Sequence, residues 1–169
     1  FAPRYGWPKK AYDSCSDKHD LFTSDAGMEQ LILDLAVGKN MVKSIRYWAR
    51  AFRICTEQKQ TGNRHRLLYP TAIGETFFSD DGWDPYCEHS DTLWLLHWWL
   101  HAPGSLAPVW WLAFNEFTGI EFTADELEQF ISNRTTAWEP KPLAITRDVS
   151  CLIRMYSSGH AHRATFDDQ

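Results

Sequence analysis

Lys39-Asn40-Met41-Val42-Lys43-Ser44-Ile45-Arg46-Tyr47-Trp48-Ala49-Arg50-Ala51-Phe52 is the stretch on which the reading of the fold turns. Met41, Val42, Ile45, Trp48 and Phe52 recur at intervals of three and four residues, the spacing that collects apolar side chains on one face of a helix. Asn40, Lys43, Ser44, Tyr47 and Arg50 fall on the other face, and Lys39 and Arg46 add to the positive charge. The segment therefore predicts a basic amphipathic helix with a buried seam.

Upstream, Met28, Leu31, Ile32 and Leu35 share a second helical face, with Ser24 or Asp25 as N-cap. Val37-Gly38 is expected to end that helix, because glycine accepts the left-handed conformation of a helix stop. Before it, Trp7 to Tyr12 reads as a short helix start with Pro8 in the first turn, and Asp17 to Ser24 as a connection. Downstream, Arg53 to Gln58 and Arg66-Leu67-Leu68-Tyr69 flank the turn cluster Thr61-Gly62-Asn63-Arg64, which predicts a β-hairpin with a basic tip. Two helices about a tight turn, followed by such a hairpin, make a winged helix-turn-helix pattern.

The second half reads as helices. Thr71 caps a segment after Pro70, and Ser90 or Asp91 caps Thr92 to His101. Leu106 to Phe117 forms another helix, and Thr123 with Glu126 makes a capping box before Leu127 to Ile131. Asn133 to Leu143, with its prolines, reads as a loop, and Thr146 as the cap of a last helix running to about Tyr156. The expected fold is mainly α: a winged helix-turn-helix module over residues 1–76, then an acidic, tryptophan-rich helical domain over residues 77–169.

Charge divides along the chain in the same sense. Residues 1–70 hold 12 Lys and Arg against 7 Asp and Glu, whereas residues 71–169 hold 5 against 15. The first half therefore suits a polyanion and the second a neutral or basic partner. No apolar run approaches the roughly 18 residues that a membrane span needs, so no membrane partner is expected and the protein reads as cytoplasmic. Cys15, Cys55, Cys87 and Cys151 form no C-x-x-C pair and read as separate thiols in apolar surroundings. Beginning at Phe1 and ending at Asp167-Asp168-Gln169, the chain reads as a piece of a longer protein.

Contact with double-stranded DNA requires cations for phosphates and amide or guanidinium groups for base edges. Lys39, Asn40, Lys43, Ser44, Arg46, Tyr47 and Arg50 supply these on the basic helix, with Arg64 and Arg66 on the hairpin. The same helix could instead be an ordinary basic surface or a protein contact. His97 and His101 stand at the i, i+4 spacing of a zinc pair, but the glutamate of a zinc protease is absent, and packed histidines explain them better. Glu139-Pro140-Lys141 matches half of a nuclease metal motif, yet sits between prolines rather than on a strand. Trp94, Trp98, Trp99, Trp110 and Trp111 read mostly as core, and Asp80-Asp81-Gly82-Trp83-Asp84 as a solvated turn. No phosphate-binding glycine loop or catalytic triad appears, so no enzyme activity, cofactor or metal is expected.

Several strings together resemble the DUF4007 family: Arg4-Tyr5-Gly6-Trp7, Gly38-Lys39-Asn40-Met41-Val42, Asp84-Pro85-Tyr86, Leu93-Trp94-Leu95-Leu96-His97 and Asn115-Glu116-Phe117. The resemblance runs to about Tyr156, and Pro8 departs from the leucine more usual there. It implies a phage-defence accessory protein, associated with DNA phosphorothioation or BREX-type systems. Its expected partner is a phosphoadenosine-phosphosulfate (PAPS)-reductase-like sulfurtransferase subunit. On this reading the chain is a non-catalytic subunit that recruits that enzyme to DNA. The alternatives are a scaffold for the enzyme without DNA contact and a metal-dependent nuclease. The oligomeric state is not legible.

Overall fold

The computed structural model describes residues 1–59, 66–135 and 142–157, in the order α1 (Trp7–Asp17), α2 (Asp25–Asp34), α3 (Lys39–Ala51), β1 (Cys55–Lys59), β2 (Arg66–Pro70), α4 (Ala72–Phe78), α5 (Ser90–His101), α6 (Pro108–Asn115), α7 (Ala124–Arg134) and α8 (Pro142–Tyr156). The fold is mainly helical, with one two-stranded antiparallel sheet among the described residues. The chain divides into two compact units, Pro3–Leu106 with Phe1, and Ala107–Gln169 with Ala2.

In the first unit α3 is the central element. Val42, Ile45, Trp48 and Ala49 bury one face of it, and α1, α2 and β1 pack against it. Trp7, Ala11 and Cys15 of α1, Leu31 of α2, and Leu67 and Leu68 of β2 complete this core. The leucine, isoleucine and valine side chains among them each contribute roughly 1.5–3 kcal/mol on full burial. The indole N–H of Trp48 is satisfied by the Phe1 carbonyl at 2.9 Å, which ties the N-terminal residue to α3.

The stop between α2 and α3 differs from the sequence expectation. Ala36, not Gly38, takes the left-handed conformation, with φ of 51°. Ala36 N–H donates to Leu33 O and Val37 N–H to Ile32 O, the paired bonds that close a helix end. Gly38 is the extended N-cap residue of α3 instead. Pro70 and Lys59 end the hairpin strands as described, with Cys55 opposite Pro70 and Lys59 opposite Arg66. The Thr61–Arg64 turn lies outside the described residues, and so does Arg64.

Capping reads through well. Ser24 accepts from Gly27 N–H at 3.1 Å and Thr71 from Gly74 N–H at 3.0 Å, each worth about 1 kcal/mol. Helix α5 departs from expectation: His89 is its N-cap residue and offers no side-chain bond. The buried Asp84 carboxylate instead holds the two residues that lead into the helix, accepting from Glu88 N–H at 2.8 Å and His89 N–H at 3.1 Å. Burial, the largest single influence, would raise its pKa, but the Thr92 side chain and these two backbone bonds together hold it below the usual carboxylate value.

The second unit packs α6, α7 and α8 around Trp110, Leu127, Ile131 and Val149. Thr123 and Glu126 form the expected capping box. Helix α8 begins at Pro142, one turn earlier than Thr146, because proline suits a first helical turn. Thr146 instead donates its hydroxyl to Glu128 of α7 at 2.9 Å. Helix α6 spans fewer residues than Leu106 to Phe117, since Pro108 fixes its start.

Candidate nucleic-acid interface

The residues expected to face DNA separate into two groups. At the N-terminal end of α3, Lys39, Asn40 and Lys43 are exposed and Ser44 is half-buried. No ion pair engages Lys39 or Lys43 among the described residues. The helix N-terminus beneath them has no side-chain cap, so the positive end of the helix dipole lies there without a capping side chain.

The other group is turned to structural work. Arg46 lies 2.5 Å from Glu57 of β1 and also donates to the Phe22 carbonyl at 3.2 Å. Arg50 reaches the same Glu57 oxygen at 3.4 Å. Glu57 is largely buried against them, with its side chain 11% exposed. Tyr47 donates its hydroxyl to the Leu106 carbonyl at 3.1 Å. These contacts brace α3 against the hairpin, Phe22 and the segment after α5.

On the hairpin, Arg66 is exposed and stands directly across from Lys59, also exposed. Like charges opposite one another in a sheet repel. Neither is joined to a carboxylate among the described residues. Lys59 is the cation that the sequence reading missed: its significance comes from strand register, which pairs it with Arg66. Apolar alternation along a five-residue strand does not reveal that register.

Other sequence-level possibilities can be placed. His97 and His101 adjoin with ring centroids 3.9 Å apart, and burial pushes both pKa values down, His101 to about 4 with help from its neighbour. No group of three or more His, Cys, Asp or Glu side chains among the described residues could hold a metal ion. Glu139-Pro140-Lys141 lies outside the described residues. The Asp80–Asp84 segment is not merely a solvated turn, because Asp84 is buried and Asp80 takes part in an ion pair. Lys9, itself buried, holds Asp13 and Asp80 at 2.6 Å each. Those carboxylates raise the lysine's pKa against the opposing effect of burial, which is the largest single influence.

The tryptophans divide more sharply than their spacing implied. Trp7, Trp48 and Trp110 are core, but Trp94 and Trp98 are exposed because α5 buries only Thr92, Leu96 and Leu100. The thiols are not all separate either: Cys15 and Cys55 are both buried with their sulfurs 3.1 Å apart. No described helix is long and apolar enough to cross a membrane.

The family profile that matches, over residues 1–169, is described as "Protein of unknown function (DUF4007)". No curated protein matches the chain. Among solved structures, an SspB crystal structure aligns with a TM-score of 0.86 and 39% identity, over 96% of this chain and 49% of the SspB chain. A magnesium ion-bound SspB crystal structure aligns with a TM-score of 0.83 and 40% identity, over 92% of this chain and 47% of that one. The chain thus spans about half the length of either SspB chain.

Proposed function

The chain belongs to the DUF4007 family, and we propose that it acts there as a non-catalytic DNA-binding subunit of a bacterial DNA sulfur-modification or phage-defence system. Helices α2 and α3 with the β1–β2 hairpin are read as a helix-turn-helix and its wing. Lys39, Asn40 and Lys43 at the start of α3 supply phosphate and base contacts, and Lys59 with Arg66 on the hairpin supply phosphate contacts. Arg46 and Arg50 hold α3 in place through Glu57 rather than carrying the main DNA contact.

The observation that carries this reading is the cross-strand Lys59–Arg66 pair. Two exposed cations facing each other weaken the hairpin unless an anion comes between them, and a phosphate backbone is such an anion. The sulfur-modification setting and the PAPS-reductase-like sulfurtransferase partner come from the family resemblance alone.

A second reading, a metal-dependent nuclease, is favoured by the magnesium ion carried by one SspB structure. The described residues here do not fit such a centre, because they bring together no set of three candidate ligands.

The test is binding of labelled duplex DNA, with and without phosphorothioate linkages, over a salt series, with a parallel incubation in magnesium. Salt-sensitive binding without strand cleavage is the expected result. Absence of binding at low salt would favour the enzyme scaffold, and magnesium-dependent cleavage would favour the nuclease.

A further inference from the structure

From Leu67 to Asn133 the chain contains no lysine or arginine, while between Thr71 and His101 the carboxylates of Glu75, Asp81, Glu88 and Asp91 are exposed, beside the buried Asp84 and the Lys9-paired Asp80. Within this acidic segment of the first unit, four large aromatic side chains face solvent: Trp83 at 74% exposure, Tyr86 at 62%, Trp94 at 68% and Trp98 at 59%. Exposed apolar surface gathered in this way marks a binding surface more often than scattered single residues do.

The aromatics are held in place rather than splayed on a loose loop. Trp83 N–H donates to Thr76 O at 2.9 Å and Asp84 N–H to Phe77 O at 3.1 Å, which fastens the loop to α4. The Asp84 carboxylate fastens the other end of the loop to the start of α5. Trp83 packs edge-on against Phe77 at 5.3 Å, and Phe77 meets Trp99 of α5 at 6.5 Å. On α5, Asp91, Trp94 and Trp98 follow at three- and four-residue steps, so a carboxylate and two indoles share one exposed face.

Indole faces attract guanidinium and ammonium groups through their negative π surface, and nearby carboxylates add charge attraction. We propose that the Trp83–Tyr86 loop and the Asp91–Trp94–Trp98 face of α5 form a docking surface for an arginine- or lysine-rich segment of a partner protein. Charge complementarity selects this occupant. Single-stranded nucleic acid also stacks on tryptophan, but its phosphates would meet carboxylates here with no lysine or arginine from the same segment to offset them. The surface uses none of the residues assigned to DNA, so the two assignments stand or fall separately.

The experiment is fluorescence anisotropy with the full chain and a labelled peptide carrying four arginines spaced by serine and glycine. A peptide with glutamate in place of arginine and a single-stranded oligothymidine serve as alternative probes. The arginine peptide should bind the wild type, and Trp94→Ser with Trp98→Ser should weaken it at least tenfold. Trp94→Leu with Trp98→Leu, which keeps apolar bulk but removes the π faces, should weaken it to a similar degree. Asp91→Asn should cost two- to fivefold, and all variants should keep the melting temperature of the wild type. Equal binding of the arginine peptide to wild type and Trp variants would reduce the effect to diffuse charge and overturn the proposal. So would absence of peptide binding, or tighter binding of oligothymidine that the Trp variants abolish. A wild-type dimer in sedimentation velocity that becomes monomeric on Trp94→Ser with Trp98→Ser would also overturn it, by making a second copy the occupant.

Discussion

Arg46 of α3 lies 2.5 Å from Glu57 of β1, and through that contact the positive charge of the helix's second half is committed to the fold. Arg50 shares the same carboxylate at 3.4 Å. Glu57→Gln should therefore lower stability by about 1–2 kcal/mol, the range for losing charge-assisted bonds that are partly solvated. Duplex binding by the variant should hold or tighten, since two guanidinium groups are released. Thermal melts beside a DNA titration check this, and weaker binding with unchanged melting would contradict the division of labour along α3.

The same contact bears on how the interface should be probed. Arg50→Glu sets a second carboxylate beside Glu57, so loss of binding in that variant would mix misfolding with lost contact. Lys39→Gln with Lys43→Gln avoids this, because both side chains are exposed. That pair should leave the melting temperature unchanged and weaken binding to unrelated duplexes by similar factors, as loss of phosphate contacts does. A loss confined to one DNA sequence would point instead to base contacts.

Lys59 and Arg66 give the opposite sign on stability. Removing one of two facing cations relieves repulsion, so Lys59→Gln should raise stability slightly, by a few tenths of a kcal/mol. It should also weaken DNA binding. Stability and affinity moving in opposite directions distinguishes a functional cation from a structural one; a fall in both would assign Lys59 to the fold.

Stability should depend on pH through His97 and His101. Burial lowers both pKa values, that of His101 to about 4 from 6.5, so the folded state resists taking up protons that the unfolded chain accepts. The stabilising difference is present above pH 6.5 and is lost as pH falls from there towards about 4. Melting temperatures across that window should decline. His101→Gln should flatten the decline, and an unchanged slope would remove this histidine from the linkage.

Close packing at α4 supplies a test of the fold itself. A Cβ on Gly74 would meet the Ile54 carbonyl oxygen, a backbone atom that cannot swing aside. Gly74→Ala is expected to cost about 1–3 kcal/mol, the usual range for overpacking, measured by denaturant unfolding. A neutral substitution would mean that the hairpin and α4 pack more loosely than described.

Much of the helical architecture is legible in the chain because local rules decide it. The spacing of Met41, Val42, Ile45 and Trp48 predicts α3, and Ser24, Thr71 and Thr123 announce helix starts through bonds made within three residues. The site is less legible because its features are tertiary. Nothing local links Arg46 to a glutamate eleven residues on, or sets Lys59 opposite Arg66. Helical spacing likewise predicts which tryptophans share a face but not whether another element covers it, so Trp94 and Trp98 read as core and are exposed. Gly38 shows a further limit: it is the obvious helix stop, yet Ala36 closes α2 two residues earlier.

The most direct measurement compares the salt dependence of duplex binding for the wild type and for Lys39→Gln, Lys43→Gln, Lys59→Gln and Arg66→Gln combined. Each phosphate contact adds about 0.9 to the slope of log affinity against log salt. The combined variant should therefore lose roughly three to four contacts' worth of slope, bind more weakly at every salt concentration, and melt no lower than the wild type. Equal slopes and equal affinities for the two proteins would contradict the placement of DNA on this surface.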